Sequence, residues 1–402
     1  MIQRGTVVYV GNFFFPDGNA AGKRVWGNLE AVKDAGFNAV CLCFRKETGN
    51  KSIEKSSYAQ IDLYTIPYTS GFKRLKNGFP KHVFRKVLEK YEHNTIATIM
   101  YNSLGTTEFN SYVIQECHKR GINVYYDIAD YFDVPHKTNR LRYYMKKREL
   151  NHLTGKVLPA CDGWITISYF LKNMMPNPDK SIVVPPLSVS KAVYTQGNKD
   201  KCIISYATYI VDENRPISEW KDRVDIYIDV FIKLKEYVRR CPCELHLLGF
   251  FKDDLLKMFP KEIRGVYEER LKSLGNTVLF FGPMANKKVQ EHIQQSDFTI
   301  LFRDDKTSNN AGFPTKISES ISLGVPPITN ITSDIGYYIQ DGVNGVVVTK
   351  LDDIQGIAEK IANTINHGVQ DDLRRGTLNT TDFYYKTYTK RFRDFLLEVQ
   401  HT

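Results

Sequence analysis

Between Arg303 and Asn330 the chain reads RDDKTSNNAGFPTKISESISLGVPPITN. An apolar run, Phe298–Phe302, ends in a polar loop that closes on Ala311-Gly312-Phe313-Pro314, and a helix is expected from Thr315 to Ser322. Gly312 lets the backbone approach a ligand closely, and Pro314 suits a helix entry. The unsatisfied N–H groups of a helix start favour an anion such as a diphosphate. Lys316, in the first turn, is unfavourable to the helix dipole, which points to a bound anion as its purpose. Glu319 lies one turn on, on the face of Thr315 and Lys316, where a carboxylate can accept hydrogen bonds from two ribose hydroxyls. The plain alternative is a loop-to-helix junction with a surface lysine and glutamate.

Other candidates are more scattered. Lys221 precedes an expected helix at Asp222–Arg239, where its plain reading is a solvated helix-start lysine. Arg303, at the exit of its strand, either touches phosphate or sugar or pairs with Asp304 or Asp305. The segment Gly11–Gly22, GNFFFPDGNAAG, follows a first strand, Thr6–Val10, and its Gly11 and Asn12 read as ligand-facing loop residues. The strand Val124–Asp127 runs into Asp130, so Asp127 and Asp130 could orient an acceptor hydroxyl or take its proton. Each is equally readable as a cap or loop carboxylate. None of the nine histidines shows metal-ligand spacing, and no D-x-D pair occurs, so neither a metal nor a cofactor is expected.

These residues need a scaffold. Short apolar runs alternate with amphipathic stretches: strands at Thr6–Val10, Ala39–Cys43, Ile61–Ile66, Thr95–Met100, Val124–Asp127 and Gly163–Ile167, with helices at Gly22–Ala35 and Asn110–Arg120 closed by Gly36 and Gly121. The pattern breaks in the polar stretch Ser188–Lys201, then resumes with Cys202–Tyr206, Glu244–Leu248, Thr277–Phe281, Phe298–Phe302, Pro327–Thr329 and Gly345–Thr349. Such alternation implies mainly parallel sheets with helices on both faces. The expected fold class is α/β, with two Rossmann-like doubly wound domains, 1–187 and 188–381, facing a cleft. A C-terminal helix in 382–402, expected at Asp382–Val399, returns to the first domain.

The chain has 402 residues and a formal net charge of +10. Residues 1–180 hold 26 Lys and Arg against 16 Asp and Glu; the remainder holds 29 of each. The whole excess therefore sits in the first half, which should face something anionic. Two basic stretches, Lys73–Lys90 and Arg140–Arg148, interleave cations with apolar residues and could rest on an anionic membrane. No stacking or groove-reading motif supports a nucleic-acid partner. No apolar run approaches the ~18 residues of a membrane span, and Thr6–Gly11 reads as a strand, not as a signal peptide. A cytoplasmic location, peripheral at the inner membrane face, is the expectation. The seven scattered cysteines read as reduced thiols.

The segment Ala311–Pro326 resembles the C-terminal domain of retaining glycosyltransferases of family four, which have the GT-B fold. Aligned on Glu319, the chain supplies Gly312, Phe313, Glu319, Gly324 and Pro326 in register, with Ala311 where the first of two glutamates usually stands. Pro314-Thr315-Lys316-Ile317-Ser318-Glu319 matches the P-[ST]-K-x-x-E form found in surface-polysaccharide clusters. Leu245–Gly249 and Val278–Gly282 resemble the family's strand ends, and Lys221-Asp222 its lysine turn toward the donor diphosphate. The resemblance implies a metal-independent hexosyl transfer from a UDP- or GDP-sugar, with retention, to a glycan or lipid-linked glycan acceptor. A nucleotide-sugar epimerase of the same fold, a non-catalytic nucleotide-binding protein and a membrane adaptor are the alternatives.

Overall fold

The run TVVYVGNFF is apolar at successive positions, so it must be covered on both faces, as the central strand of a parallel sheet is. The computed structural model, which describes residues 5–45, 53–67, 80–101, 107–131, 140–195, 200–209 and 214–398, places it there. In chain order the first sheet is built from β1 (Thr6–Phe14), β2 (Asn38–Arg45), β3 (Glu54–Tyr58), β4 (Ile61–Pro67), β5 (Thr95–Tyr101), β6 (Asn123–Ile128), β7 (Gly163–Thr166) and β8 (Ser181–Val183). Its spatial order is β3-β4-β2-β1-β5-β6-β7-β8, with every pairing parallel except β3 with β4. Helices α1 (Ala20–Asp34), α2 (Lys81–Tyr91), α3 (Thr107–His118), α4 (Arg140–His152) and α5 (Tyr169–Asn173) occupy the connections. The chain leaves β1 toward β2 on one side and returns to β5 on the other, which makes the β1/β5 edge the switch point of this sheet.

The second sheet repeats the plan. Its strands are β9 (Cys202–Ala207), β10 (Cys243–Leu248), β11 (Val278–Phe280), β12 (Phe298–Leu301), β13 (Pro327–Asn330) and β14 (Val346–Val348), all parallel, in the order β11-β10-β9-β12-β13-β14. Between and after them lie α6 (Val224–Tyr237), α7 (Lys252–Met258), α8 (Lys261–Leu274), α9 (Asn286–Gln294), α10 (Thr307–Ala311), α11 (Thr315–Ser322), α12 (Ile335–Tyr338), α13 (Ile354–His367), α14 (Gln370–Asn379) and α15 (Thr389–Glu398). Here the switch falls between β9 and β12. Contacts divide the chain into two units: Met1–Val189 with Ala311–Phe313 and Tyr384–Thr402, and Ser190–Asn310 with Pro314–Phe383.

Local chemistry explains most boundaries. Asn19 caps α1 by accepting from the Gly22 N–H at 2.8 Å, and the helix yields to Gly36 at φ +95°, the left-handed residue that ends helices at little cost. On α13 the residues Ile357, Ile361 and Ile365 are buried at four-residue spacing, with Asp353 capping the Gly356 N–H at 2.9 Å. The expected terminal helix starts later than Asp382. Tyr385 donates its N–H to the Ser188 carbonyl at 3.1 Å, and a 3-10 turn at Tyr385–Tyr388 precedes the α-helix, which begins at Thr389.

Asp127 is corrected by its surroundings. The sheet buries it completely. Arg24 donates to it from Nε at 3.0 Å and from Nη2 at 2.7 Å, the Tyr9 hydroxyl donates to it, and Asn28 adds a bond at 3.3 Å. The Arg24 Nη1 donates to the Val184 carbonyl at 2.8 Å. Burial pulls the Arg24 pKa down, but the Asp127 charge outweighs it and the pKa rises; burial and then Asp127 push the Tyr9 hydroxyl well up. Asp127 is therefore the counter-ion of a buried arginine, out of reach of any acceptor hydroxyl, since an unpaired charge could not stay at this depth.

Two outcomes follow for stability. Arg24→Met leaves a buried carboxylate without its cation and should cost about 3–5 kcal/mol, read as a lower denaturant midpoint; adding Asp127→Leu should recover most of it. The second concerns His246 and His292, whose ring nitrogens lie 2.8 Å apart, with His246 also bonded to Glu244, itself paired with Lys201. Burial and then His246 bring His292 down to about 4, and burial lowers His246 despite Glu244. The unfolded chain takes up protons at about pH 6.5, before the folded one does. The contribution is thus intact above that pH and is lost as pH falls toward 4. Melting temperatures from about pH 7 to about pH 4.5 should fall less steeply in His292→Gln than in the parent.

Candidate functional site

The β9/β12 switch determines which residues meet in the second unit. Tyr206 stands near the C-terminal end of β9, Arg303 follows β12, Asp222 sits in the approach to α6, and Lys316 lies in the first turn of α11. The other three converge on the Asp222 carboxylate. Lys316 Nζ donates to Oδ2 at 2.5 Å, Arg303 Nε to Oδ1 at 2.7 Å, and the Tyr206 hydroxyl to Oδ2 at 2.9 Å. The Lys316 ammonium also stands 5.0 Å from the Tyr206 ring centroid, within cation–π reach.

The backbone fixes these positions. Arg303 exchanges two bonds with Asn330, accepting through its carbonyl from Nδ2 at 2.8 Å and donating its N–H to Oδ1 at 3.0 Å. The Arg223 N–H donates to the Phe302 carbonyl at 2.9 Å, so the segment carrying Asp222 is tied to the end of β12. Gly249, at φ +98°, would place a Cβ 2.1 Å from the Thr208 carbonyl; only glycine lets the exits of β9 and β10 run this close.

Burial alone would raise the Asp222 pKa, yet Lys316 and Arg303 hold it well below the usual carboxylate range. The side chains of Asp222 and Arg303 are each 7% exposed, whereas Lys316 is 27% exposed. Two cations share one carboxylate, and the open member is the lysine at the helix start. Pro314 offers α11 no side-chain cap, and its first turn carries no acidic residue. Positive potential is thus left uncancelled at the head of α11. A second ionic group flanks it: Arg223 binds Asp225 at 2.7 Å and Asp304 at 2.6 Å, and Lys306 binds Asp304 at 2.8 Å.

Among the sequence candidates, Lys316 and Arg303 come together, and Arg303 pairs with Asp222, a partner other than the Asp304 or Asp305 named as the alternative to a phosphate or sugar contact. Pro314, Thr315 and Glu319 are placed beside Lys316 by α11, with Thr315 and Glu319 half-buried. Lys221 is exposed at the residue before Asp222. Gly312 and Phe313 group with the first unit, where the neighbouring Ala311 carbonyl accepts from the Ser168 hydroxyl at 2.5 Å. Gly11 and Asn12 are corrected: they lie inside β1, which continues to Phe14, and not in a loop. A Cβ at Gly11 would fall 2.7 Å from that of Tyr101, so this glycine serves the packing of β1 against the end of β5. Asp130 is exposed just beyond β6.

Sequence reasoning missed Tyr206, Asn330 and the central role of Asp222. Tyr206 and Asn330 sit at or near strand C-termini, a usable signal; the partners of Asp222 are remote in sequence and left none. No group of three or more His, Cys, Asp or Glu residues able to hold a metal occurs among the described residues.

Comparison with known proteins agrees with this architecture. Residues 215–367 match the family model described as "Glycosyl transferases group 1", less than half of the chain. No curated protein matches in sequence. Among solved structures, the lipopolysaccharide outer core galactosyltransferase WaaB, in its apo form, is similar at 16% identity, with a TM-score of 0.59, over 98% of this chain and 99% of that one. Sucrose-phosphate synthase from Thermosynechococcus elongatus is similar at 12% identity and a TM-score of 0.62, over 96% and 97%. A trehalose-6-phosphate protein from E. coli, bound with UDP-2-fluoro glucose, is similar at 11% identity and a TM-score of 0.60, over 99% of both chains. The chain thus has the GT-B fold, and the segment that matches the glycosyl transferases group 1 model, 215–367, holds Asp222, Arg303 and Lys316.

Proposed function

We propose that the protein transfers one hexosyl unit from a UDP- or GDP-sugar to an acceptor hydroxyl, with retention of configuration. The observation that carries this reading is the Lys316–Asp222–Arg303 cluster at the head of α11. A donor diphosphate supplies the negative charge that one carboxylate leaves unmatched there, and the helix start adds N–H donors. Glu319, one turn deeper on the same helix, is assigned to the ribose hydroxyls. The UDP-2-fluoro glucose bound in the E. coli structure supports a UDP-linked donor.

In the transfer, the bond from the anomeric carbon to the diphosphate oxygen breaks, and its electron pair leaves with the diphosphate. The acceptor oxygen bonds to the same carbon and its proton passes to a diphosphate oxygen. Such a step asks the protein for positioning and for charge stabilisation as the diphosphate departs. Lys316, the exposed member of the cluster, is the cation assigned to that charge, whereas buried Arg303 and Asp222 hold its resting place. A growing surface glycan, including a lipid-linked one, is the acceptor class that the P-T-K-x-x-E form of α11 favours, and Asp130 is the exposed carboxylate of the first unit assigned to orient it.

Lys316→Ala should lower kcat/KM for the donor by about 10²–10³-fold, with a lower melting temperature from the weakened support of Asp222, which Arg303 still pairs; full activity in the folded variant would remove the assignment. Glu319→Ala should act mainly on donor KM, by about tenfold. Following sugar and nucleotide products with and without acceptor separates the readings. A transferase releases nucleoside diphosphate in step with acceptor, an epimerase converts the donor alone, and a binding protein shows a nucleotide-dependent rise in melting temperature without turnover.

A further inference from the structure

The two basic stretches of the first unit differ in what they cover. In α2, Val83, Phe84, Val87 and Leu88 are buried, so its apolar side is spent on the core; residues 73–79 of that stretch lie outside the described residues. In α4 no residue is buried. Leu141 is 73% exposed, Tyr144 66% and Met145 45%. These three fall at spacings of three and four residues and so share one face with Arg148, and Arg140 and Lys147 border that face on its Tyr144 side, all three cations being exposed. The five cations of RLRYYMKKRELNH meet a single carboxylate, Glu149, which is half-buried, and its burial raises its pKa. The outward face is therefore cationic and apolar at once.

A folded protein gains nothing from holding large apolar side chains in water, and a merely solvated helix face would carry polar residues there. A polyanion in water would satisfy the arginines and lysines but not Leu141 and Met145. An anionic bilayer surface satisfies both: the apolar side chains enter the acyl boundary while the long cationic ones reach lipid phosphates. Tyr144 has the ring and hydroxyl that suit the boundary itself. The concentration of the whole +10 charge in residues 1–180 gives the same unit the long-range attraction that brings it to such a surface. A second exposed apolar group is Tyr169 and Phe170 of α5 with Met174 just after it; α5 follows β7, the neighbour of β6 in the sheet.

We infer that the outward face of α4 docks on anionic phospholipid and holds the first unit at a membrane surface. The inference deepens the proposed function, since a lipid-linked acceptor is presented at such a surface, but it stands on α4 alone.

The test is co-sedimentation of the full chain with vesicles of phosphatidylcholine alone or with about 30 mol % phosphatidylglycerol. Binding is expected only to the anionic vesicles, with release by about 0.5 M salt. The combined variant Leu141→Ser, Tyr144→Ser, Met145→Ser should lose roughly tenfold of the binding, and Arg140→Gln, Lys147→Gln, Arg148→Gln a similar amount. Because α4 buries none of its residues, both variants should keep the parent's melting temperature. Equal binding to both vesicle types, undiminished binding by a folded triple-serine variant, or displacement from vesicles by an RNA oligonucleotide would overturn the inference. Loss of vesicle binding with UDP-induced stabilisation intact would count against the docking face only; vesicle binding without any UDP or GDP effect would count against the proposed function only.

Discussion

The Asp222 carboxylate lies between Lys316 and Arg303, with the Tyr206 hydroxyl completing its coordination. Placing a carboxylate at this depth is costly, and only close opposite charge and hydrogen bonds keep it ionised. The constraint draws four segments into one place: the end of β9, the approach to α6, the exit of β12 and the first turn of α11. Each arrives at the C-terminal edge of a parallel strand or next to one, because the chain reverses its direction of winding between β9 and β12. The site is thus a consequence of sheet order, and the carboxylate decides how the cations are aimed.

The first unit contains a pair of the same chemical type with the opposite outcome. Asp127 and Arg24 are both buried, and Tyr9, Asn28 and the Val184 carbonyl add hydrogen bonds to the pair. Neither charge is presented at the surface. Around Asp222 the charges are unequal and one member is accessible. The distinction between an ion pair that organises a core and one that organises a site lies in this balance of charge and exposure, more than in residue type.

Charge is partitioned at a larger scale too. The chain from residue 181 onward has a local cationic site and no net charge, whereas residues 1–180 carry a diffuse excess that their carboxylates do not cancel. Of the cationic segments there, α2 shows that a basic amphipathic pattern can serve ordinary packing. α4 shows the same composition left uncovered. Sequence pattern alone made no difference between them; burial did.

What depended on neighbours in the chain was legible in the sequence. The helix from Thr315 to Ser322 has the boundaries read from its proline entry and its polar face, and the parallel strands fall where doubly covered apolar runs required them. The four-residue spacing of Ile357, Ile361 and Ile365 was equally legible, though it was not assigned. The hairpin of β3 with β4 was not legible: EKSSY is polar and exposed, and its turn at Ala59 and Gln60 adopts positive φ without the Asn-Gly or Asp-Gly signal of such turns. Nor could the sequence show that Asp127 belongs to Arg24, that Arg303 turns to Asp222, or that β1 runs on through Gly11 and Asn12, across a shift of register, to Phe14. Helix periodicity and capping act within a few residues and leave their mark on local order. The partner of a buried charge is chosen by folding across about a hundred positions, through desolvation that exists only once the two sheets have formed.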